Sequence, residues 1–135
     1  MAAILWDESL SIGISTIDRQ HRVLIEHINR LDDAVTRGAG RGVLEHVLKG
    51  LASYVSIHFT YEETLMKVSR YRESPEHHDE HEHFKAQVAQ FQRRFQSGDE
   101  QMAADLLAFM QGWLRSHIQI EDQRYAADVI AHGHR

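Results

Sequence analysis

Apolar residues recur at alternating intervals of four and three positions along four stretches of the chain. The breaks between these stretches contain glycine, serine or the single proline. An interval of this kind places the apolar side chains on one face of an α-helix. The pattern therefore predicts four amphipathic helices, at about residues 19–37, 42–69, 75–97 and 99–121.

The connections between the predicted helices are short, and short connections favour antiparallel neighbours. The sequence therefore predicts an all-α single domain over residues 1–135, built as an up-down-up-down antiparallel four-helix bundle. An N-terminal arm, residues 1–17, precedes the bundle, and a tail, residues 122–135, is expected to continue as helix and then fray. Asp18 is the predicted N-cap of the first helix.

Polar residues interrupt the apolar faces at positions where the spacing requires a buried side chain. The second helix places a histidine and a glutamate four residues apart, which brings both onto one helix face. The third helix repeats the same interval with two histidines. The interrupting residues are His21, His58, Glu62, His77, His81 and His117.

The alternating direction of the helices brings these interruptions to one end of the bundle. His21 opens its helix, His58 lies toward the end of the second, His77 opens the third and His117 closes the fourth. Asp122 follows His117 by five residues, and five residues turn an ideal helix about 140° past a full turn. We therefore predict a π-bulge or loosened turn between Trp113 and Tyr125, which would bring Asp122 back toward the cluster.

A buried glutamate without a partner costs several kcal/mol or takes up a proton, and unpartnered imidazoles are also costly. A metal cluster removes both costs, because neutral imidazole and carboxylate are then ligands. A single buried histidine is more often a hydrogen-bonded core residue, but seven polar ligands in one layer favour metal. A donor set of nitrogen and oxygen without sulfur suits iron, manganese, zinc or copper.

The number of ligands suggests a two-metal centre. Two octahedral ions offer roughly twelve ligand positions. Two bridging carboxylates, a bridging oxide or hydroxide and five histidines leave one position open. An open position of this kind suits a small diatomic ligand.

Composition excludes several other classes of function. The chain has no cysteine, which excludes disulfides, thiolate zinc sites and a cysteine nucleophile, and its eleven histidines are an unusually large number. Its net charge of −5 without a basic stripe argues against nucleic acid, and no apolar run approaches the ~20 residues that span a membrane. Without a recognisable secretory signal we expect a cytoplasmic protein, and without a large apolar stripe we expect a monomer. No protein partner is indicated.

Five segments together are highly specific for one known family. They are Trp6, IDRQH at 17–21, HFTYEE at 58–63, HHDEH at 77–81 and WLRSHIQIED at 113–122. Over nearly its whole length the chain resembles the hemerythrin family, and in particular its single-domain bacterial members. Many members of the family have a Tyr-Pro pair in the loop before the third helix. In this chain Tyr71 is followed by Arg72, and the proline stands at position 75.

The resemblance implies a non-haem di-iron site with an oxo or hydroxo bridge that binds O2 reversibly. It implies that one iron is held by three histidines, the other by two, and that two carboxylates bridge them. The first set is His77, His81 and His117, the second is His21 and His58, and the bridging residues are Glu62 and Asp122.

Apolar residues within one turn of these ligands are expected to line a dry O2 pocket, although ordinary core packing explains them equally well. They are Leu24, Phe59, Trp113, Leu114 and Ile118. The remaining histidines lack a partner at ligand spacing and are expected to be solvated. They are His27, His46, His132 and His134.

Three functions stay open from the sequence. The first is O2 binding for storage, delivery or sensing, without enzymatic turnover. The second is a di-iron oxidase, a peroxidase or an NO-scavenging protein. Di-iron oxidases of the ferritin-like class are rich in carboxylates and pair Glu with His at i+3, whereas this chain is rich in histidine and uses i+4, which favours binding. The third is a metal-free bundle or a metal buffer.

Overall fold

A computed structural model describes residues 5–72, 74–117 and 122–131. The described residues contain a short 3-10 turn, Glu8–Leu10, followed by five α-helices and no β-strand. The helices are α1 Ser15–Thr36, α2 Arg41–Val68, α3 Ser74–Gln96, α4 Met102–Ser116 and α5 Gln123–Ala131.

The first four helices form a closed ring of neighbours. α1 packs against α2 and α4, and α3 packs against the same two helices on the other side. Their short connections make each helix antiparallel to the one before it, so the predicted up-down-up-down four-helix bundle is confirmed. α5 lies outside the ring and packs against α2.

The start of α1 differs from the prediction. α1 begins at Ser15, after Ile14 in extended conformation, and not near residue 19. Asp18 is therefore inside the first turn and is not an N-cap. Its carboxylate accepts hydrogen bonds from Ile12 N at 3.0 Å and from Ser11 Oγ at 2.5 Å. Asp18 thus fastens the N-terminal arm to the helix.

The arm packs across the bundle as predicted. Ile12, Ile14 and Ile17 are all at most 4 % exposed. Trp6 is half-buried against the core, and the Arg22 guanidinium carbon lies 4.6 Å from the centre of its ring. The apolar arm residues therefore cover the end of the bundle from which α1 starts.

Three helices end with a residue in left-handed conformation, which turns the chain sharply. These residues are Gly38 with φ 63°, Arg70 with φ 55° and Gly98 with φ 83°. Glycine adopts this conformation without strain, whereas arginine does not. At Arg70 the strain is offset by a C-terminal capping pattern, because Tyr71 N donates to Met66 O at 3.0 Å. α3 then begins at Ser74, one residue before the predicted start.

α4 begins at Met102, three residues after the predicted start, although the Asp99 carboxylate accepts a hydrogen bond from Gln101 N at 2.9 Å. At the other end of α4, His117 has the wider backbone pattern of a π-helix, and so does Asp122 before α5. Residues 118–121 lie outside the described part of the chain. Among the helices that the structure describes, none is long and apolar enough to span a membrane.

Candidate metal centre

Seven polar side chains are buried together at the end of the bundle where α1 starts. Glu62, Asp122 and three of the histidines have no exposed surface, and the other two histidines are at most 5 % exposed. Burial this complete is rare for charged residues without a partner. The structure thus brings all seven residues predicted from the sequence into its interior: His21, His58, Glu62, His77, His81, His117 and Asp122.

Helix direction and helix register together explain this convergence. His21 lies in the second turn of α1 and His77 in the first turn of α3, whereas His58 lies in the C-terminal half of α2. Because neighbouring helices run in opposite directions, these positions fall at the same height. The intervals of three and four residues then turn each side chain toward the bundle axis.

The potential ligand atoms form two overlapping groups, and within each group all atoms lie within 4.8 Å of one another. Glu62 and His117 belong to both groups. The first group adds His21, His58 and Asp122, and the second adds His77 and His81.

Each carboxylate directs its two oxygens toward different histidines. Glu62 Oε1 lies 2.5 Å from His58 Nε2, while its Oε2 lies 3.5 Å from His77 Nε2. Asp122 Oδ2 lies 2.8 Å from His21 Nε2, while its Oδ1 lies 3.5 Å from His77 Nε2. Both side chains are therefore oriented to bridge between the His21–His58 side and the His77 side.

His117 lies between the two sides. Its Nε2 is 2.7 Å from Glu62 Oε1 and 3.1 Å from Asp122 Oδ2. The same nitrogen lies 3.3 Å from His58 Nε2. Of the three histidines that the resemblance assigns to one ion, His117 is therefore the one nearest to the other ion's ligands.

Several buried polar atoms in the cluster have no hydrogen-bond partner among the described residues. They include His21 Nδ1 and His81 Nε2, while the two Asp122 oxygens have only imidazole nitrogens of the cluster as near neighbours. A buried polar atom left without a partner costs about 1–3 kcal/mol. His81 Nε2 and the Asp122 oxygens fit a metal ion, because a cation accepts the lone pair of a neutral imidazole nitrogen and of a carboxylate oxygen.

Burial keeps most of the imidazoles neutral. Burial, together with the nearby His117, lowers the pKa of His21 to about 3. Burial likewise lowers the pKa of His81 to about 2 and lowers that of His58. Neutral imidazole is the form that binds metal, so these three rings need lose no proton on binding.

Three groups of the cluster that face one another, His77, Asp122 and Glu62, also have shifted pKa values. Burial opposes protonation of His77, but hydrogen bonds with Asp122 and Glu62 outweigh it and raise its pKa to about 9. Burial and the negative charge of Glu62 raise the pKa of Asp122 to about 7. Burial also acts to raise the pKa of Glu62, but His117 and His58 outweigh it and hold that pKa well below its usual value.

Two further residues orient histidines of the cluster, and neither was among the residues predicted from the sequence. Gln20 Oε1 lies 2.7 Å from His58 Nδ1, so it fixes the ring with Nε2 facing the cluster. Glu63 Oε2 lies 3.4 Å from His81 Nδ1, and Glu63 Oε1 also contacts His78. Both directly adjoin a ligand in sequence, and that position next to a ligand was the available signal.

Aromatic rings cover the cluster on the side of α3 and α4. Phe59 stacks on His81 with ring centres 3.7 Å apart, and Trp113 stacks on His117 at 4.6 Å. Phe84, which the sequence analysis did not assign to the pocket, packs against Trp113 at 4.2 Å. These contacts both fix the imidazole planes and keep water away.

The residues predicted to line the O2 pocket differ in how far they are buried. Leu24 and Phe59 have no exposed surface, and Leu114 is 2 % exposed. Trp113 is half-buried. Ile118 lies outside the described residues.

Histidines away from the cluster are mostly on the surface. His46 and His83 are exposed, and His78 is half exposed beside Glu63. His27 is an exception to the predicted solvation, since it is half-buried with its ring 5.4 Å from that of Tyr54. His132 and His134 lie outside the described residues.

An antiparallel four-helix bundle with buried histidines and carboxylates at one end defines a helical-bundle metalloprotein. The family model of the hemerythrin HHE cation binding domain matches residues 12–129. The chain therefore belongs to the hemerythrin family.

Named relatives match the sequence of this chain over nearly its whole length. The bacteriohemerythrin of Stenotrophomonas maltophilia (strain R551-3) is 39% identical over 132 residues, covering 98% of this chain and 85% of the relative. That of Pseudomonas aeruginosa (strain LESB58) is 36% identical, covering 98% and 84%. The crystal structure of a wild-type hemerythrin superposes with a TM-score of 0.88 at 28% identity, covering 95% of this chain and 98% of that one.

Proposed function

We propose that this protein binds O2 reversibly at a non-haem di-iron centre formed by the seven buried residues. One observation carries the proposal. Five histidines and two carboxylates offer ligand atoms in two overlapping groups, each within 4.8 Å, inside a largely apolar interior. Membership of the hemerythrin family supports iron as the metal.

We assign His77, His81 and His117 to one iron and His21 and His58 to the other. Glu62 and Asp122 would bridge the two. The orientation of the carboxylates supports this assignment, since each turns one oxygen toward His77 and the other toward the His21–His58 side. The side with two histidines has one protein ligand fewer, so the open position for O2 belongs there.

An iron pair supplies the electrons and the open coordination position that reversible O2 binding requires. The chain supplies geometry and dryness. Gln20 holds His58 through Nδ1, and Phe59 holds the plane of His81 by stacking. Leu24 and Leu114 add apolar side chains that are at most 2 % exposed. An apolar wall of this kind slows the entry of water and the loss of bound ligand.

The arrangement favours binding over enzymatic turnover. The centre is rich in histidine, and its two carboxylates are shared between the two ligand groups. A protein that binds O2 and releases it unchanged needs no second substrate site. We therefore propose O2 storage, delivery or sensing as the role.

Iron content and the ultraviolet–visible spectrum of the reduced, oxygenated and oxidised protein test this proposal. We expect stoichiometric iron and a colour change that reverses when air and nitrogen alternate over the reduced protein. Permanent oxidation on first exposure to air, or steady O2 consumption with a reductant, would contradict reversible binding.

A pair of variants on α2 tests the ligand assignment. His58→Ala removes a buried proposed ligand, whereas His46→Ala removes an exposed histidine of the same helix. We expect His58→Ala to lose iron or the oxygenated spectrum and His46→Ala to keep both. Equal spectra for the two variants would refute the assignment of His58.

A further inference from the structure

A second apolar space lies between α2, α3 and α4, away from the metal ligands. Its volume is about 240 Å³. Aliphatic and methionine side chains form most of its wall, and these include Leu51, Val55, Val88, Met102, Leu106 and Met110. Five of these six side chains are buried, so the cavity extends into the core.

The polar residues of the cavity lie at its opening. Ser56 and Gln92 are exposed, and Lys85 is half-buried. Lys85 Nζ bonds to Glu82 at 3.3 Å, so its charge is engaged outside the cavity. No acidic side chain is among the residues that line the cavity. The interior therefore suits small, uncharged, apolar molecules and offers no partner to an ion.

The size of the cavity is sufficient for such ligands. An engineered apolar cavity of about 150 Å³ in another protein stays dry and binds benzene or xenon. The cavity described here is larger. O2 is itself a small apolar molecule, so the same environment would hold it in preference to water.

Phe84 connects this cavity with the metal centre. Its ring lines the cavity and is 2 % exposed. On its other side the ring lies 5.4 Å from Phe59, which stacks on His81, and 4.2 Å from Trp113, which stacks on His117. One aromatic layer therefore separates the cavity from the rings that stack on the proposed iron ligands.

We propose that the cavity between α2, α3 and α4 is a gas-binding chamber that takes up small apolar molecules and supplies O2 to the centre past Phe84. The supply step rests on the O2-binding function proposed above. The binding step does not, because it depends only on the shape and apolarity of the cavity.

Xenon tests the binding step without any use of O2. Crystals of the iron-loaded protein are pressurised with xenon, and the anomalous signal locates the bound atoms. We expect a xenon site against Met102, Leu106 and Met110. No xenon in the cavity at a pressure that fills other apolar cavities would overturn the proposal.

Two alanine variants test the supply step. Ala52→Leu adds a side chain at a half-buried alanine that lines the cavity, and Ala89→Leu adds the same side chain at a half-buried alanine of α3 that does not. We expect Ala52→Leu to slow O2 association and dissociation by the same factor, roughly three- to tenfold. Ala89→Leu should leave both rates unchanged.

Equal O2 rates in Ala52→Leu and the unsubstituted protein would overturn the supply step. A change in O2 affinity with matched iron content would also overturn it, because a route alters both rates and leaves the equilibrium alone. Failure of the proposed function has a different result: the unsubstituted protein would then bind no O2 reversibly, whatever xenon shows.

Discussion

The two ends of the bundle are built from different chemistry. The end where α1 starts buries five histidines and two carboxylates, whereas the opposite end is filled by apolar side chains such as Leu31, Met102 and Leu106. Asp32 is also buried toward that opposite end, where it accepts a hydrogen bond from Thr36 Oγ1 at 3.3 Å.

Because of this difference, the two ends of the bundle are stabilised in different ways. The apolar end gains stability from burial alone, which contributes about 25 cal/mol per Å². The polar end buries His21 Nδ1 and His81 Nε2 without hydrogen bonds among the described residues and holds two carboxylates beside imidazoles. It is therefore expected to gain full stability only when a cation binds there. The metal is therefore expected to act as a structural element of one end of the bundle.

The largest expected effect comes from two adjacent histidines of α3. His77 is 5 % exposed and faces both carboxylates, while the His78 side chain is 50 % exposed. His77→Ala should lose most of the bound iron, because it removes a ligand and the partner of Glu62 and Asp122. His78→Ala should keep it. Iron content by elemental analysis distinguishes them, and equal loss in both would contradict the assignment of His77.

Removal of the metal should expose a strong pH dependence of stability. Below the usual imidazole pKa of 6.5, the unfolded chain binds protons that buried His21, His58 and His81 do not. The raised pKa of Asp122, about 7, acts in the opposite direction, but it is one group against three. The free energy of unfolding of the metal-free protein should therefore fall as pH drops below 6.5.

His77 adds a second limit on the alkaline side. Its pKa is raised to about 9, so its contribution is fully present below pH 6.5 and is lost as pH rises through 9. Thermal unfolding of metal-free and iron-loaded protein at a series of pH values measures both limits. A metal-free protein as stable as the loaded one at every pH would contradict the structural role of the metal.

A substitution at the apolar end should have the opposite pattern: the fold loses stability while the metal centre is unchanged. Leu31 has no exposed surface, and Leu31→Ala should destabilise the fold by about 2–5 kcal/mol through lost burial and a cavity. Iron content and spectrum should stay unchanged. Chemical denaturation gives the free energy of unfolding, and an altered spectrum would show that the two ends are not independent.

The smallest expected effect concerns the orientation of a ligand. Gln20→Leu removes the acceptor that holds His58 Nδ1, and loss of such a partner typically lowers metal affinity about 10- to 100-fold. Gln87→Leu makes the same change at a half-buried position of α3. Competition with a chelator compares their iron affinities, and the same affinity in both variants would remove Gln20 from the site.

Periodicity predicted the helices and the ligands that obey it. His21, His58, Glu62, His77, His81 and His117 occupy positions of the repeating pattern, so helix geometry alone predicted that they converge. Asp122 does not obey it, and its place required the expectation of a widened turn. His117 and Asp122 both have π-helical backbone, in agreement with that expectation.

Other features depend on contacts that spacing does not encode. Asp18 resembles an N-cap in sequence, but the arm folds back and takes its carboxylate. Gln20 and Glu63 stand next to cluster residues in sequence, but their contacts with His58 and His81 on other helices follow only from the fold, and so does the packing of Phe84 on Trp113. The identity of the metal came from the family resemblance, because the donor types alone allow several metals.

Gly13 in the N-terminal arm lies near Ile130 in α5, the last helix that the structure describes. Gly13 has φ +81°, and a Cβ added there would lie 3.3 Å from Ile130 Cδ1 on α5. α5 follows directly after Asp122, and a larger residue at Gly13 would both strain the arm and require the Ile130 side chain to shift by a few tenths of an ångström. A substitution in this exposed turn would thus disturb the packing of the helix that follows Asp122, although Gly13 is not one of the seven cluster residues.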